Sequence, residues 1–227
     1  MHETIVGSEH DDTIAVLVEL GAVHRDRGCK NFAVSCFRHA LRYYQRTKGP
    51  AAREAMETLS RLVACYEESD ERDKAGAEYE RALSLLEREI GRDLDEMGEM
   101  QFNFASTCIR WGNYTRAREL LGECIGTFRR RGGARLAVAH ETLAHVEENS
   151  GHFTDAVREL ANAGKVWAKL PDRRKELIAN MNYRADLLEQ LKRKKEAAWV
   201  REQVAALEAD TEKELKSAGV QAAVRTA

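Results

Sequence analysis

The sequence predicts an all-α fold, a solenoid made of about five repeated helical pairs. The main observation is a set of alanines spaced 42, 42, 39 and 41 residues apart, namely Ala33, Ala75, Ala117, Ala156 and Ala197. A period of this length is typical of repeat architectures. Only 2 of the 227 residues are proline, so long helices are rarely interrupted. With 43% hydrophobic and 33% charged residues, the composition is that of a charge-rich helical protein and not of a disordered chain.

Other residue types recur at fixed offsets from these alanines. A small residue on the first helix, as at Gly21 and Ala105, lets the second helix of the pair approach closely, and a large one such as Phe37 fills the space between pairs. Glycine or aspartate stands where the first helix must turn back, a conformation that glycine tolerates best. These turn positions are Gly28, Asp70, Gly112 and Gly151. The fifth copy is weaker and reads Arg184, Ala185, Leu188, Lys192, Ala197, Arg201, Val204 and Ala205.

The predicted helices form pairs at about 10–27 with 30–47, 52–69 with 72–91, 96–111 with 114–131, 135–150 with 153–169 and 173–191 with 194–215. Pro50 and Pro171 fall between repeats, where proline can begin a helix without breaking one. The five repeats are expected to cover 10–47, 52–91, 96–131, 135–169 and 173–209. Residues 1–9 are expected to be a tail, and residues 210–227 the end of a polar capping helix and a second tail.

These offsets resemble the tetratricopeptide repeat, a helix-turn-helix unit with small residues at the same positions. The period near 42 and the segment YERALSLLEREIGRDLDEM, residues 79–97, are similar to the longer kinesin-light-chain class of that repeat. The resemblance covers about residues 10–209. It implies a right-handed superhelical solenoid whose first helices line a concave groove, the usual binding surface of such proteins.

One segment, AHETLAHVEE at residues 139–148, is close to the helix of a zinc protease. Such a helix carries histidines at i and i+4, which lie on one face and share a zinc ion. Here His140 and His145 are at i and i+5, so the two imidazoles diverge by roughly 140° around a helix. With no phosphate-binding loop or nucleophile motif either, we expect no metal or cofactor and no enzymatic activity.

The overall charge and the cysteines restrict the class of partner. A net charge of -2 gives no general attraction to nucleic acid or acidic membranes, and the basic run KRKK at 192–195 lacks interleaved aromatic residues. The 5 cysteines lack paired spacing, which favours free thiols in a reducing compartment. No signal-peptide pattern or bilayer-spanning apolar run is present. We expect a cytoplasmic protein without nucleic-acid or membrane partners, with homo-oligomerisation left open.

The resemblance places the groove at six positions of each first helix. Of these thirty positions ten are acidic and three are basic, although the whole chain carries only -2. A basic or amphipathic protein or peptide segment is therefore the expected partner, and acids that merely solvate an open face are the alternative. The candidate groove residues are Glu19, Glu57, Arg61, Glu68, Phe102, Asn103, Ile109, Arg110, Glu141, His145, Glu148, Asn182, Tyr183 and Asp186, among which Phe102, Ile109 and Tyr183 are the candidate apolar anchors.

The resemblance also addresses specificity within the family. Proteins that hold chaperone C-termini use a clamp of lysine, asparagine and basic residues, but the matching positions here are Val18, Ala22, Arg61, Glu99 and Asn103, so that clamp is absent. Asn103 and Asn182 resemble groove asparagines that hydrogen-bond a peptide backbone in kinesin-light-chain repeats. The expected function is an interaction scaffold or adaptor that binds a protein segment in the groove. The alternative is a regulatory sensor whose superhelix changes shape on binding and controls an effector.

Overall fold

The structure is a computed structural model that describes residues 11–90 and 95–225, with side chains for 11–89 and 95–211. Within these ranges all regular secondary structure is helical, as the alanine period predicts. The helices are α1 Asp11–Asp26, α2 Lys30–Thr47, α3 Arg53–Glu67, α4 Arg72–Ile90, α5 Asp95–Arg110, α6 Tyr114–Phe128, α7 Ala134–Asn149, α8 Phe153–Trp167, α9 Arg174–Gln190 and α10 Lys194–Arg225. A short 3₁₀ helix, Pro171–Arg173, precedes α9. The expected tail at 1–9 lies outside the described residues, and α10 continues beyond its predicted end near 215.

The helices belong to two compact units, Met1–Phe104 and Ala105–Ala227. In the first unit α1 packs on α2, α2 on α3 and α3 on α4; in the second the same order runs from α6 to α10. Because α1 also contacts α3, the first helices of neighbouring repeats touch each other in the first unit. This regular alternation of first and second helices is that of an all-α repeat solenoid.

The turns between the paired helices share one backbone conformation. A residue two or three positions after the end of each first helix has a positive φ, at Gly28 (76°), Asp70 (55°), Gly112 (74°), Gly151 (81°) and Lys192 (60°). In all five turns the next amide donates to a carbonyl five residues earlier, at 2.8–2.9 Å. This hydrogen bond closes the Schellman motif, which satisfies carbonyl groups at the end of the first helix. The glycine and aspartate positions therefore predicted the turns correctly, and Lys192 occupies the equivalent place in the fifth repeat.

The alanines that define the period are at the centre of the packing. Ala33, Ala75, Ala117 and Ala156 are fully buried, and Ala197 is almost so. A Cβ built on Gly21 would lie only 2.9 Å from Cε1 of Phe37, so the aromatic ring of α2 occupies the space that a side chain on α1 would need. Burial of a side chain such as Phe37 stabilises the fold by about 1.5–3 kcal/mol.

The first and fifth repeats depart from this packing at one shared position. Phe104 in the third repeat is buried and stacks on Tyr79 of the preceding helix α4, with ring centroids 4.7 Å apart. Leu20, its equivalent in the first repeat, is 46% exposed, and no helix precedes α1 in the described part of the chain. The fifth repeat has Arg184 at this position, so a cation replaces the large apolar residue found in the other four.

Candidate binding surfaces

The first unit contains a surface cleft between α1 and α3, which we call the α1–α3 cleft. It has a volume of about 350 Å³. Its lining residues are Ala15, Val16, Val18, Glu19, Tyr44, Glu54, Glu57, Thr58 and Arg61. The predicted groove positions of the first two repeats therefore contribute to one concave site, including Glu19, Glu57 and Arg61 from the candidate set. Val16 is not among the predicted groove positions, but it is 68% exposed and adds apolar surface to the cleft.

Two of the acids in the α1–α3 cleft have exposed basic partners. Arg61 Nη1 lies 3.7 Å from Glu19 Oε1, and Arg53 Nε lies 2.6 Å from Glu57 Oε1. The Arg53 side chain is 86% exposed, so water screens its pair with Glu57. Exposed pairs of this kind contribute little to the stability of a fold. They therefore hold the acids in place only weakly.

A third acid of the cleft, Glu54, belongs to a three-membered ionic cluster. Lys48 Nζ lies 2.6 Å from Glu54 Oε1 and 2.9 Å from Asp11 Oδ2, so one ammonium group bridges two carboxylates. The hydrogen bond from Lys48 lowers the pKa of Glu54, and the same ammonium lowers the pKa of Asp11. Both carboxylates are thus fully ionised at neutral pH.

The remaining candidate residues of the first unit do not line this cleft. Glu68 follows α3, where its backbone carbonyl accepts a hydrogen bond from Lys30 and its carboxylate lies 4.0 Å from Arg25 Nε. Phe102 and Asn103 are half-buried on α5. These three residues remain groove predictions that the cleft geometry does not bring together.

In the second unit, three candidate residues of α7 and α9 meet. The hydroxyl of Tyr183 donates a hydrogen bond to the carboxylate of Glu148, and His145 Nδ1 lies 3.4 Å from the same hydroxyl. Burial and this carboxylate raise the pKa of Tyr183 well above its usual value, so the phenol stays protonated and remains a donor. The cluster joins the first helices of the fourth and fifth repeats, and His145 stays exposed on its outer side.

Glu141 has a structural role that the sequence did not reveal. Its Oε1 accepts hydrogen bonds from Trp167 Nε1 at 2.8 Å and from Asn180 Nδ2 at 2.9 Å. Asn180 is only 3% exposed, and a Cβ on Gly164 would lie 3.0 Å from its Oδ1. The carboxylate thus ties α7 to α8 and α9. The only sequence signal for this contact is a glycine inside α8, where the backbone leaves room for the buried amide.

The last candidate residues of the second unit are placed separately. Asp186 lies 2.8 Å from Arg201 Nη2, and Arg201 also pairs with Glu189 at 3.0 Å. Asn182 is half-buried on α9. Near the end of α5, Ile109 is half-buried and Arg110 is exposed, with Arg110 Nη2 donating to Thr107 Oγ1 at 3.0 Å.

The two histidines of the zinc-like segment lie in different environments. His140 Nδ1 is 2.7 Å from Glu159 Oε2 and both side chains are buried, whereas the His145 side chain is exposed. Among the residues that the structure describes, no three histidine, cysteine or acidic side chains are grouped as metal ligands. A search of the same residues for a helix long and apolar enough to cross a membrane also found none.

The cysteines differ in exposure. Cys29 is exposed, Cys36 is half-buried, and Cys65, Cys108 and Cys124 are buried, all as free thiols. Burial raises the pKa of Cys124 to about 12, and it also raises the pKa of Cys65 and of Cys36. These three thiols therefore stay protonated at neutral pH and behave as small apolar residues.

Part of the chain matches a known protein family. Residues 54–130 match the tetratricopeptide repeat family. The structure resembles the putative kinesin light chain TPR-like repeats of Podosopora anserina (TM-score 0.62, 18% identity, 89% of this chain and 98% of that one). It also resembles BtubC (BKLC) from P. vanneervenii (TM-score 0.65, 19% identity, 88% and 82%). No curated protein matches the chain significantly.

A third solved structure with this fold is that of a complex. It is a Rap protein complexed with competence and sporulation factor (TM-score 0.52, 13% identity, 88% of this chain and 55% of that one). At identities of 13–19%, these three likenesses show the fold alone.

Proposed function

We propose that this chain, a tetratricopeptide-repeat protein of the kinesin-light-chain-like type, is a non-catalytic scaffold that binds a basic, amphipathic protein segment in the α1–α3 cleft. The observation that carries the proposal is the composition of the cleft. Ala15, Val16 and Val18 supply apolar surface, while Glu19 and Glu57 supply negative charge at its edge. A segment with apolar side chains between lysine or arginine residues complements both features.

The ion pairs of the cleft permit such binding energetically. Since the pairs of Glu19 with Arg61 and of Glu57 with Arg53 are exposed, each costs little to break. A cation from the partner replaces an existing pair and also buries apolar surface, which contributes about 25 cal/mol per Å². Charge then selects the partner and accelerates its approach, and apolar contact supplies most of the affinity.

The fold supports an interaction role more generally. Repeat solenoids present extended surfaces for other proteins, and a Rap protein of this fold has been crystallised in complex with competence and sporulation factor. We place the scaffold in the cytoplasm, where the free thiols of Cys29 and Cys36 would stay reduced. No described contact favours the regulatory-sensor alternative over a simple scaffold.

The experiment is a selection of displayed peptides on the native chain, followed by affinity measurements by fluorescence anisotropy. Enriched peptides should contain lysine or arginine spaced by large apolar residues. The double variant E19K/E57K should weaken their binding about tenfold or more, because each reversal replaces an attraction with a repulsion.

The matched control is E80K/E87K, which makes the same change of net charge on the exposed side of α4 in the same unit. It should leave the affinity within about twofold, since screening weakens the effect of distant exposed charges. Enriched peptides without basic residues, or an equal loss of affinity in both variants, would refute binding at this cleft.

A further inference from the structure

The second unit has a pocket of its own between α8, α9 and α10, which we call the α8–α10 pocket. Its volume is about 490 Å³, and none of the predicted groove residues lines it. Part of the lining is apolar and buried, at Val157, Leu188 and Val200. Trp199 stands beside these residues with 57% of its surface exposed. A large aromatic side chain that is exposed to solvent to this extent is a common feature of interaction sites.

The charged residues around this pocket are mostly basic. Four cations line it, and Glu196 is the one acid among its lining residues. Glu196 is already bound by Arg193 through two hydrogen bonds of 2.7 Å. Arg158 is likewise committed, because its Nη1 lies 2.6 Å from Asp155 and its Nε lies 3.3 Å from Glu159. Acidic partners therefore neutralise Arg193 and Arg158, which leaves two of the four cations without such a partner.

The two remaining cations are Arg184 and Lys195. Neither makes a hydrogen bond or ion pair with any residue that the structure describes, and Arg184 is half-buried. Burial lowers the pKa of Arg184, only partly offset by attraction to Glu196, but an arginine remains charged at neutral pH. A half-buried guanidinium that has no anion in direct contact is costly for the fold.

The repeat pattern shows that the fold does not need this charge. Arg184 stands at the position that Leu20, Leu62, Phe104 and Leu143 occupy in the other repeats. Leu62 and Phe104 are buried there, so an apolar side chain suits the site. In the fifth repeat, therefore, a cation replaces the apolar side chain and lies in the same pocket as the exposed Trp199.

We propose that the α8–α10 pocket binds an acidic segment of a partner protein. An aspartate or glutamate carboxylate of that segment accepts hydrogen bonds from Arg184 and Lys195, and a neighbouring apolar side chain covers Val157, Leu188 and Trp199. The apolar lining favours a peptide over an inorganic anion, because an inorganic anion leaves that surface exposed to water. This site is independent of the α1–α3 cleft and selects the opposite charge.

The test uses a fluorescein-labelled octapeptide in which aspartate and leucine alternate, with an asparagine–leucine octapeptide as the neutral isostere. The acidic probe should bind the native chain at least about tenfold more tightly than the isostere, since charge-assisted hydrogen bonds are the stronger ones. R184L and K195Q should each weaken binding of the acidic probe about tenfold. K165Q, which removes one exposed charge of α8 outside the pocket, is the matched control and should have no effect.

Two further measurements separate binding from folding. R184L should have a melting temperature equal to or above that of the native chain, because leucine occupies three of the four equivalent positions. The indole N–H resonance of Trp199, assigned with W199F, should shift during titration with the acidic probe. The proposal is overturned if the isostere binds equally well, or if K195Q and a folded R184L keep native affinity. Stronger competition by a single-stranded DNA oligonucleotide than by the acidic peptide would also overturn it.

Discussion

The two proposed binding surfaces, the α1–α3 cleft and the α8–α10 pocket, share the same repeat architecture but carry opposite charge. In the cleft the acids are exposed and have exposed basic partners, as Glu57 has in Arg53. In the pocket a cation, Arg184, is half-buried and has no described carboxylate in contact. The comparison teaches that the small residues of the repeat fix where helices meet, whereas the residues around them set the charge of each surface.

The largest expected effect on stability concerns a buried ion pair within the second unit. Arg118 on α6 donates two hydrogen bonds to Glu147 on α7, at 2.7 and 2.9 Å, and Glu147 is buried. E147A leaves Arg118 without its partner and should lower the free energy of unfolding by about 3 kcal/mol. Hydrogen exchange measured by mass spectrometry should show α6 and α7 opening, with α1 and α2 unchanged.

The same pair predicts how pH acts on the second unit. Burial raises the pKa of Glu147, but Arg118 and His152 outweigh it and the net pKa is lowered. A lowered folded-state pKa stabilises the protein above the ordinary glutamate value, and this stabilisation is lost as pH falls through the lowered value. The control for E147A is E57A in the first unit, because loss of the exposed pair of Glu57 with Arg53 should have little effect on stability. Equal losses of unfolding free energy in E147A and E57A would show that the buried pair of the second unit stabilises the protein no more than the exposed pair of the first unit.

A smaller effect should appear at the helix contact beneath the α1–α3 cleft. G21V adds atoms where a Cβ already lies 2.9 Å from Phe37, so α1 must move away from α2. The expected cost is about 1–3 kcal/mol in urea denaturation, together with weaker binding of a selected basic peptide. Binding of the acidic octapeptide to the second unit should stay unchanged.

The matched control for G21V is G122A in α6. A Cβ on Gly122 meets no atom within 4 Å, so alanine should stabilise the helix by up to about 1 kcal/mol. If G21V proved as harmless as G122A, the close approach of α1 and α2 would not be the constraint that the repeat pattern implies.

The smallest expected effect concerns the ionisation of Glu54 in the α1–α3 cleft. K48Q removes the ammonium group that bridges Glu54 and Asp11, so the pKa of Glu54 should rise towards its ordinary value. NMR titration of the side-chain carboxyl resonances measures this directly. In the native chain the small stabilisation from this cluster is present at neutral pH and disappears as pH falls through the lowered pKa values. An unchanged pKa of Glu54 in K48Q would show that Lys48 does not organise this side of the cleft.

The scaffold was predictable from the sequence because its signals are local or periodic. Each turn depends on one residue with a positive φ. A glycine such as Gly28 or Gly151 predicts that turn without knowledge of the rest of the fold. The buried alanines recur at a fixed period, so Ala75 and Ala117 identify helix contacts across the whole repeat region. Resemblance to a known family then supplied the expected binding face only as a set of positions.

The sites themselves were less predictable because they depend on contacts between distant residues. Glu141 counted as a groove acid in the sequence, but Trp167 and Asn180, which are 26 and 39 residues away, use it as a hydrogen-bond acceptor. The negative charge of the cleft is likewise moderated by Arg53 and Lys48, which no groove position includes. Departures from a repeat, such as Arg184, were visible in the sequence, but their surroundings were not.

The central claim is that two separate surfaces of one repeat scaffold select opposite charges. The direct test is a crossed binding measurement, in which a selected basic peptide and the acidic octapeptide are each titrated against the native chain, E19K/E57K and R184L. The account predicts that E19K/E57K loses only the basic peptide and that R184L loses only the acidic one. If either variant weakened both peptides alike, or neither peptide, the two surfaces would not act as separate sites and the account would be contradicted.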